Sequence, residues 1–162
     1  GAHFDYQQAI TYDPTFALAY NNRGSVKILM GDYTGAIEDY SAALQIDPGL
    51  VIALNNRGYA RYFTEDKEGA LLDFNAAITG STQLASAKLN KASLLAEQGQ
   101  LVPALSLLDE TLLEHPDEAM LYMNRGLVRE LTGDLDGACE DWYRAIELGA
   151  EGAREFINEC DR

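Results

Sequence analysis

The sequence predicts an all-α fold, an array of antiparallel helical hairpins, on three observations. First, the stretch Tyr20–Pro48, YNNRGSVKILMGDYTGAIEDYSAALQIDP, returns 34 residues later as Leu54–Thr82, LNNRGYARYFTEDKEGALLDFNAAITGST. It returns again in weakened form at Lys88–Pro116, and clearly at Tyr122–Ala150, YMNRGLVRELTGDLDGACEDWYRAIELGA. Second, apolar residues within each copy recur at helical spacing. Third, each copy is interrupted midway by turn chemistry, at Gly31-Asp32, Glu65-Asp66, Gly99-Gln100 and Gly133-Asp134. Glycine suits a left-handed helix C-cap, and aspartate suits the next N-terminus. A unit of this length cannot bury its apolar face alone, so neighbours must stack.

Residues 1–16 read as the second helix of a truncated unit. Ala2, Tyr6, Ala9 and Pro14 stand one period before Ala36, Tyr40, Ala43 and Pro48. Pro14 closes this helix, because the residue before a proline is pushed out of helical geometry. The chain begins mid-unit without an initiator Met, which predicts a fragment with a processed tag. Full units follow at 17–50, 51–84, 85–118 and 119–152, each a two-helix hairpin. Gly24, Gly58, Ala92 and Gly126 lie midway along the first helices, where a glycine costs about 1 kcal/mol relative to alanine. Their retention predicts that the second helix, with Ala36, Ala70, Ala104 and Ala138, approaches too closely for a side chain. The large column Tyr40, Phe74, Leu108 and Trp142 is expected to fill the space between neighbouring hairpins. Pro103 falls in a first helical turn, where its missing N–H is harmless. Residues 153–162 predict a capping helix, with Ala153, Phe156, Ile157 and Cys160 on one face. The whole chain, 1–162, is expected to be a single domain of stacked repeats.

The 34-residue period, the aromatic-to-glycine opening, the mid-unit alanine, the second aromatic and the closing proline resemble the tetratricopeptide repeat (TPR). Units 17–50 and 119–152 match most specifically. Unit 51–84 lacks the closing proline, having Thr82. Unit 85–118 departs furthest, with Lys88, Ala92, Leu108 and Thr111 at the signature positions, and is expected to pack less tightly or to bend. The Asn-Arg-Gly openings and the GACEDWYRAIELG stretch also look like bacterial members. The resemblance implies a right-handed superhelix whose concave wall is built from the first helix of each unit. It implies a non-enzymatic scaffold that binds a peptide or protein segment in that groove.

Within the implied groove one column is the same in every unit: Asn22, Asn56, Asn90 and Asn124. An amide can donate to and accept from an extended backbone. The ladder is similar to the peptide-holding groove of the TPR region of O-linked N-acetylglucosamine transferases. The competing reading is an asparagine that bonds the neighbouring helix. Further wall positions include Asn21, Asn55, Tyr59, Tyr62, Phe63, Met120 and Met123. The aromatics suit an interface hot spot and the methionines an adaptable apolar patch. For Tyr62 and Phe63, packing between units is an equal reading. The wall lacks the lysines and arginines with which chaperone-binding members grip a C-terminal carboxylate, so a neutral, partly apolar peptide fits better.

Arg23, Arg57, Lys91 and Arg125 form a basic column that tracks Asp39, Asp73, Leu107 and Asp141. Where the aspartate is lost, arginine becomes lysine, which predicts a bidentate brace between the two helices of a hairpin. Cys139 falls in the column of Ile37, Leu71 and Leu105, and Cys160 in the core-facing column of the cap. Free thiols are the default, with a disulfide the alternative in an oxidising compartment. His3 and His115 are isolated, and no Cys/His/Asp cluster has ligand spacing, so no metal or other cofactor is expected. No phosphate loop and no nucleophile–base pair is present, so no enzymatic activity is expected.

The net charge of −14 and pI near 4.3 disfavour nucleic acid and anionic membranes and read as a solubilising surface. No apolar run approaches the ~18 residues of a membrane span. The compartment is taken as cytoplasmic by default, with the periplasm as the alternative. Two other functions stay open: self-assembly into a homo-oligomer through the orphan first helix, and service as the recognition part of a larger enzyme or sensor.

Overall fold

The computed structural model describes residues 1–160, apart from the side chains of Ala2, His3 and Glu159; the reading of His3 lies outside the described residues. The helices are α1 (Ala2–Tyr12), α2 (Ala17–Leu29), α3 (Tyr33–Ile46), α4 (Val51–Phe63), α5 (Lys67–Gly80), α6 (Ala85–Glu97), α7 (Leu101–Glu114), α8 (Ala119–Thr132) and α9 (Leu135–Glu147). Two short 3-10 turns follow, at Glu151–Glu155 and Ile157–Glu159. The chain divides into two compact units, Gly1–Ala87 and Lys88–Arg162. In the first, α2 packs against α3 and α4 against α5, while α1–α2 and α3–α4 contacts join the successive pairs. In the second, α8 packs against α9 and α7 against α8.

The turn chemistry operates as the residues dictate. Gly31, Gly99 and Gly133 take left-handed φ of 78°, 74° and 87°, and Glu65 takes the same conformation, with φ 64°. The carboxylates of Asp32, Asp66 and Asp134 then accept from the backbone N–H of Gly35, Gly69 and Gly137, at 2.9, 2.9 and 3.0 Å. This satisfies one of the N–H groups orphaned at each helix start. A Cβ at Gly35 or Gly69 would collide with its own capping carboxylate, so the motif is Asp-x-x-Gly rather than aspartate alone. Gln100 makes no such cap.

The glycines inside the first helices make room for a ring rather than for backbone alone. A Cβ on Gly24 would lie 2.8 Å from the Tyr40 ring, and one on Gly58 would lie 2.7 Å from the Phe74 ring. Gly126 is in the same relation to the Trp142 indole. So Tyr40, Phe74 and Trp142 pack into the first helix of their own hairpin, while Tyr40 also joins Ala60, Leu108 joins Leu121 and Val128, and Trp142 joins Ala153 of the following element, as expected of a column that fills the space between neighbours. The third repeat is not loose either. Ala92, Leu95, Ala104, Leu108 and Leu112 form a buried cluster with Leu121 and Val128. Exchanging a glycine and an aromatic for an alanine and a leucine roughly conserves volume, and cores tolerate that best. Lys88, in the aromatic's place, is buried and tied to Glu114 at 2.5 Å.

The C-terminal cap also differs from expectation. It is two 3-10 turns, not an α-helix. Gly149, at φ 97°, ends α9, and Gly152 within the first turn disfavours an α-helix there. The cap nonetheless covers the last hairpin: Ala153 is fully buried, and Phe156 stacks on Trp142 with ring centroids 5.3 Å apart. Cys139 and Cys160 are joined in a disulfide with Cα atoms 5.6 Å apart, which overturns the default of free thiols. The reason is geometric: α9 and the cap bring two core-facing columns to bridging distance.

Candidate functional site

The residues singled out from sequence separate into a brace and a wall. The brace is the Arg–Asp pair. Arg23 Nε and Nη2 donate to the two carboxylate oxygens of Asp39 at 2.8 and 2.5 Å. Arg57 does the same to Asp73 at 2.9 and 2.7 Å, and Arg125 to Asp141 at 2.8 and 2.6 Å. The three aspartates are buried. Hydrogen bonding to Asp39 holds the Arg23 guanidinium above its ordinary range, against the opposing pull of burial, and Asp141 does the same for Arg125. A second cation, one helical turn on, completes each site: Lys27, Arg61 and Arg129 lie 3.0, 2.8 and 3.0 Å from the same aspartates. The sequence carried this signal, because the column Lys27, Arg61, Leu95, Arg129 loses its charge in the same repeat in which Asp becomes Leu107. The remaining guanidinium nitrogen reaches the second helix of the preceding repeat: Arg23 to Gln7, Arg57 to Ser41 and Arg125 to Asp109. The column is therefore architecture.

The wall of the first unit is formed by two stripes one helical turn apart per step: Leu18, Asn22, Ser25 and Leu29 on α2, and Ile52, Asn56, Tyr59 and Phe63 on α4. The stripes are adjacent, since Asn56 Nδ2 donates to Asn21 Oδ1 at 3.2 Å. Asn21 in turn donates to Asn22 Oδ1 at 3.1 Å. Asn21 and Asn55 are only 4% and 7% exposed, so they serve the seam between first helices and offer little surface to a ligand. Asn22 and Asn56 are half-buried. Asn56 is thus committed in part to an interhelical bond, as the competing reading held, with one amide hydrogen of Asn56 remaining beyond it.

The aromatic residues of the wall come together. Phe63 is the hub: Tyr33 stacks on it with centroids 4.8 Å apart and planes at 5°. Tyr59 packs on it at 4.9 Å and Tyr62 meets it edge-on at 5.2 Å. Phe63 is still 44% exposed, Tyr59 39% and Ile52 45%. Tyr33, at the start of α3, was missed because it lies on a second helix. Its periodic equivalents Lys67, Leu101 and Leu135 give no hint of a ring.

In the second unit the wall is more modest. Met120 is exposed, whereas Met123 is partly buried against the Trp142 cluster. Asn124 donates to the Met120 carbonyl at 2.8 Å and accepts from Ser93 Oγ at 3.2 Å. Asn90 is half-buried and also engaged. Among the described residues no group of three or more His, Cys, Asp or Glu could hold a metal ion, and no helix is long and apolar enough to cross a membrane.

Hairpins braced by buried ion pairs, with half-exposed aromatics beside them, define a helical-repeat protein. Comparison with known proteins gives the family. A tetratricopeptide-repeat profile matches residues 17–50, and a second matches 89–153, together more than half of the chain. The chain belongs to the tetratricopeptide-repeat family. It is 41% identical over 59 residues to human tetratricopeptide repeat protein 36, covering 36% of this chain and 31% of that protein. It is 27% identical over 71 residues to human tetratricopeptide repeat protein 16, covering 44% of this chain and 8% of that one. The aligned segment thus spans a third or less of these relatives. Among solved structures, MamA superposes with a TM-score of 0.77 at 23% identity, covering 95% of this chain and 90% of that chain. PilW, a type IV pilus biogenesis factor, gives 0.80 at 23% identity, covering 88% and 66%. At that identity these two establish the shared fold.

Proposed function

We propose that the α2–α4 wall of the first unit binds an extended segment of a partner protein. The observation that carries this reading is the ring cluster of Tyr33, Tyr59, Tyr62 and Phe63, held together by its own contacts yet half exposed to solvent. Preassembled aromatics anchor interfaces at low entropic cost. Beside them, Asn22 and Asn56 supply the amide groups an extended backbone needs, with Asn21 bonded to both. In the second unit Met120, Met123, Asn90 and Asn124 offer a separate, more polar contact. The partner segment is expected to carry apolar or aromatic anchors.

The test begins with peptides selected from a random-sequence display library on the wild-type protein. Phe63→Ala should weaken the selected peptides by about 2 kcal/mol or more, as hot-spot aromatics do. Asn56→Ala should cost about 1 kcal/mol through its lost hydrogen bonds. Selected peptides that bind a Tyr59→Ala/Phe63→Ala variant as tightly as wild type in a calorimetric titration would place the binding surface elsewhere.

A further inference from the structure

We infer that the aromatic patch of the first unit receives a cationic side chain, lysine or arginine, flanked in its partner by apolar residues. This deepens the binding reading above and rests on it. The argument starts from charge. In the first unit every arginine and lysine already has an acidic partner: Arg23 and Lys27 hold Asp39, Arg57 and Arg61 hold Asp73, and Lys67 lies 3.9 Å from Glu65. The charge left over is therefore carboxylate. Two of the carboxylates nearest the rings in sequence, Asp32 and Asp66, are engaged as helix caps. Glu65 is not. It follows Phe63 by two residues, its side chain is 82% exposed, and its ion pair with Lys67 is long, at 3.9 Å.

The backbone at Glu65 points the same way. The other three inter-helix turns of full repeats place glycine in the left-handed conformation, and among the described residues Glu65 is the one non-glycine residue that adopts it, with φ 64°. Glycine would be the unstrained choice. Strain of this kind persists where the side chain has another duty. An exposed glutamate two residues beyond Phe63 in sequence, taken with the clustered rings, makes a composite acceptor for a cation. The ring faces attract it through their quadrupoles, and the carboxylate pairs with its charge. An acidic segment would meet only repulsion there.

Three fluorescein-labelled peptides decide the matter: one alternating lysine with phenylalanine, its lysine-to-glutamine form and its lysine-to-glutamate form, each titrated by fluorescence anisotropy. The lysine peptide should bind at least about tenfold tighter than the glutamine peptide, and the glutamate peptide weakest. Glu65→Gly should erase most of the difference between lysine and glutamine forms while raising the Tm, because it restores the glycine of the other turns. Glu38→Gln, an equal charge change on the exposed face of α3, should leave the difference intact. Equal affinities for the lysine and glutamine peptides, both sensitive to Phe63→Ala, would overturn the charge inference and leave the wall standing. So would a Glu38→Gln effect as large as that of Glu65→Gly. Binding of all three peptides that ignores Phe63→Ala, or no binding by any of them, would overturn both.

Discussion

Repeats 51–84 and 85–118 solve one packing problem in two ways. In 51–84 the helices are clasped by charge: Arg57 and Arg61 converge on the buried Asp73, and Phe74 fits against Gly58. In 85–118 the three brace positions are Lys91, Leu95 and Leu107, and Leu108 lies over Ala92. The second solution is apolar, with Leu95 at 7% and Leu108 at 1% exposure. Both give a packed hairpin, so the ion pairs are not required for the fold as such. Buried charge is costly to desolvate and is matched by well-shaped hydrophobic substitutes. What the charged version adds is a fixed geometry, since a bidentate fork admits one arrangement of the two helices. Repeat 51–84 also supplies three of the four clustered rings, Tyr59, Tyr62 and Phe63.

The comparison breaks most sharply if one partner of the brace is removed. Asp73→Ala leaves Arg57 and Arg61 without their carboxylate and should cost about 3–5 kcal/mol in urea unfolding. Converting all three positions together (Arg57→Lys, Arg61→Leu, Asp73→Leu) copies the apolar repeat and should cost clearly less than the single change. If the triple variant is the worse of the two, the brace is not interchangeable with leucine packing. A smaller effect tests the ring-and-glycine pair. Gly58→Ala should destabilise by about 1–3 kcal/mol through overpacking against Phe74, with part of the loss recovered by adding Phe74→Leu. Additive losses in the double variant would show that the two sites do not share the strain.

The smallest effect compares the first repeat with the second, where the ring column changes from Tyr40 to Phe74. Burial raises the Tyr40 phenol above its ordinary value of 10.0, and the bond to Ser25 opposes this. The folded state therefore keeps a proton that the unfolded chain releases. The stability this represents is whole below pH 10 and drains away as pH rises through that value towards the higher folded one. Tyr40→Phe gives up the 3.2 Å contact with Ser25, about 1 kcal/mol or less at neutral pH, and should flatten the alkaline decline in thermal melts. An unchanged alkaline limb would remove Tyr40 from the account.

Much of this was legible in the residues because a repeat is its own control. The brace could be read from one correlated change, Arg to Lys where Asp becomes Leu. The turns could be read because glycine and aspartate have local, backbone-level reasons for their positions. The second cation of the brace was equally visible in the column Lys27, Arg61, Leu95, Arg129, and was missed by stopping at one partner per aspartate. The wall was harder. Asn21 and Asn55 stand one residue before the ladder, and only the rotation of α2 and α4 sends them inward. Tyr33 joins Phe63 through tertiary contact across a turn, which no periodic column records. The disulfide needed the cap's path, and the cap abandons the α-helical period that would have foretold it.

One consequence follows from Trp142, the single tryptophan of the chain. It is fully buried beneath Phe156, on the helix that also carries Cys139 of the disulfide. Indole emission excited away from the tyrosines is therefore a local thermometer for the last hairpin and its cap, whereas circular dichroism sums every helix. If the two compact units melt together, the two signals trace one curve; if they melt separately, the curves part. The protein thus carries its own gauge of how far cooperativity extends along a stack of repeats.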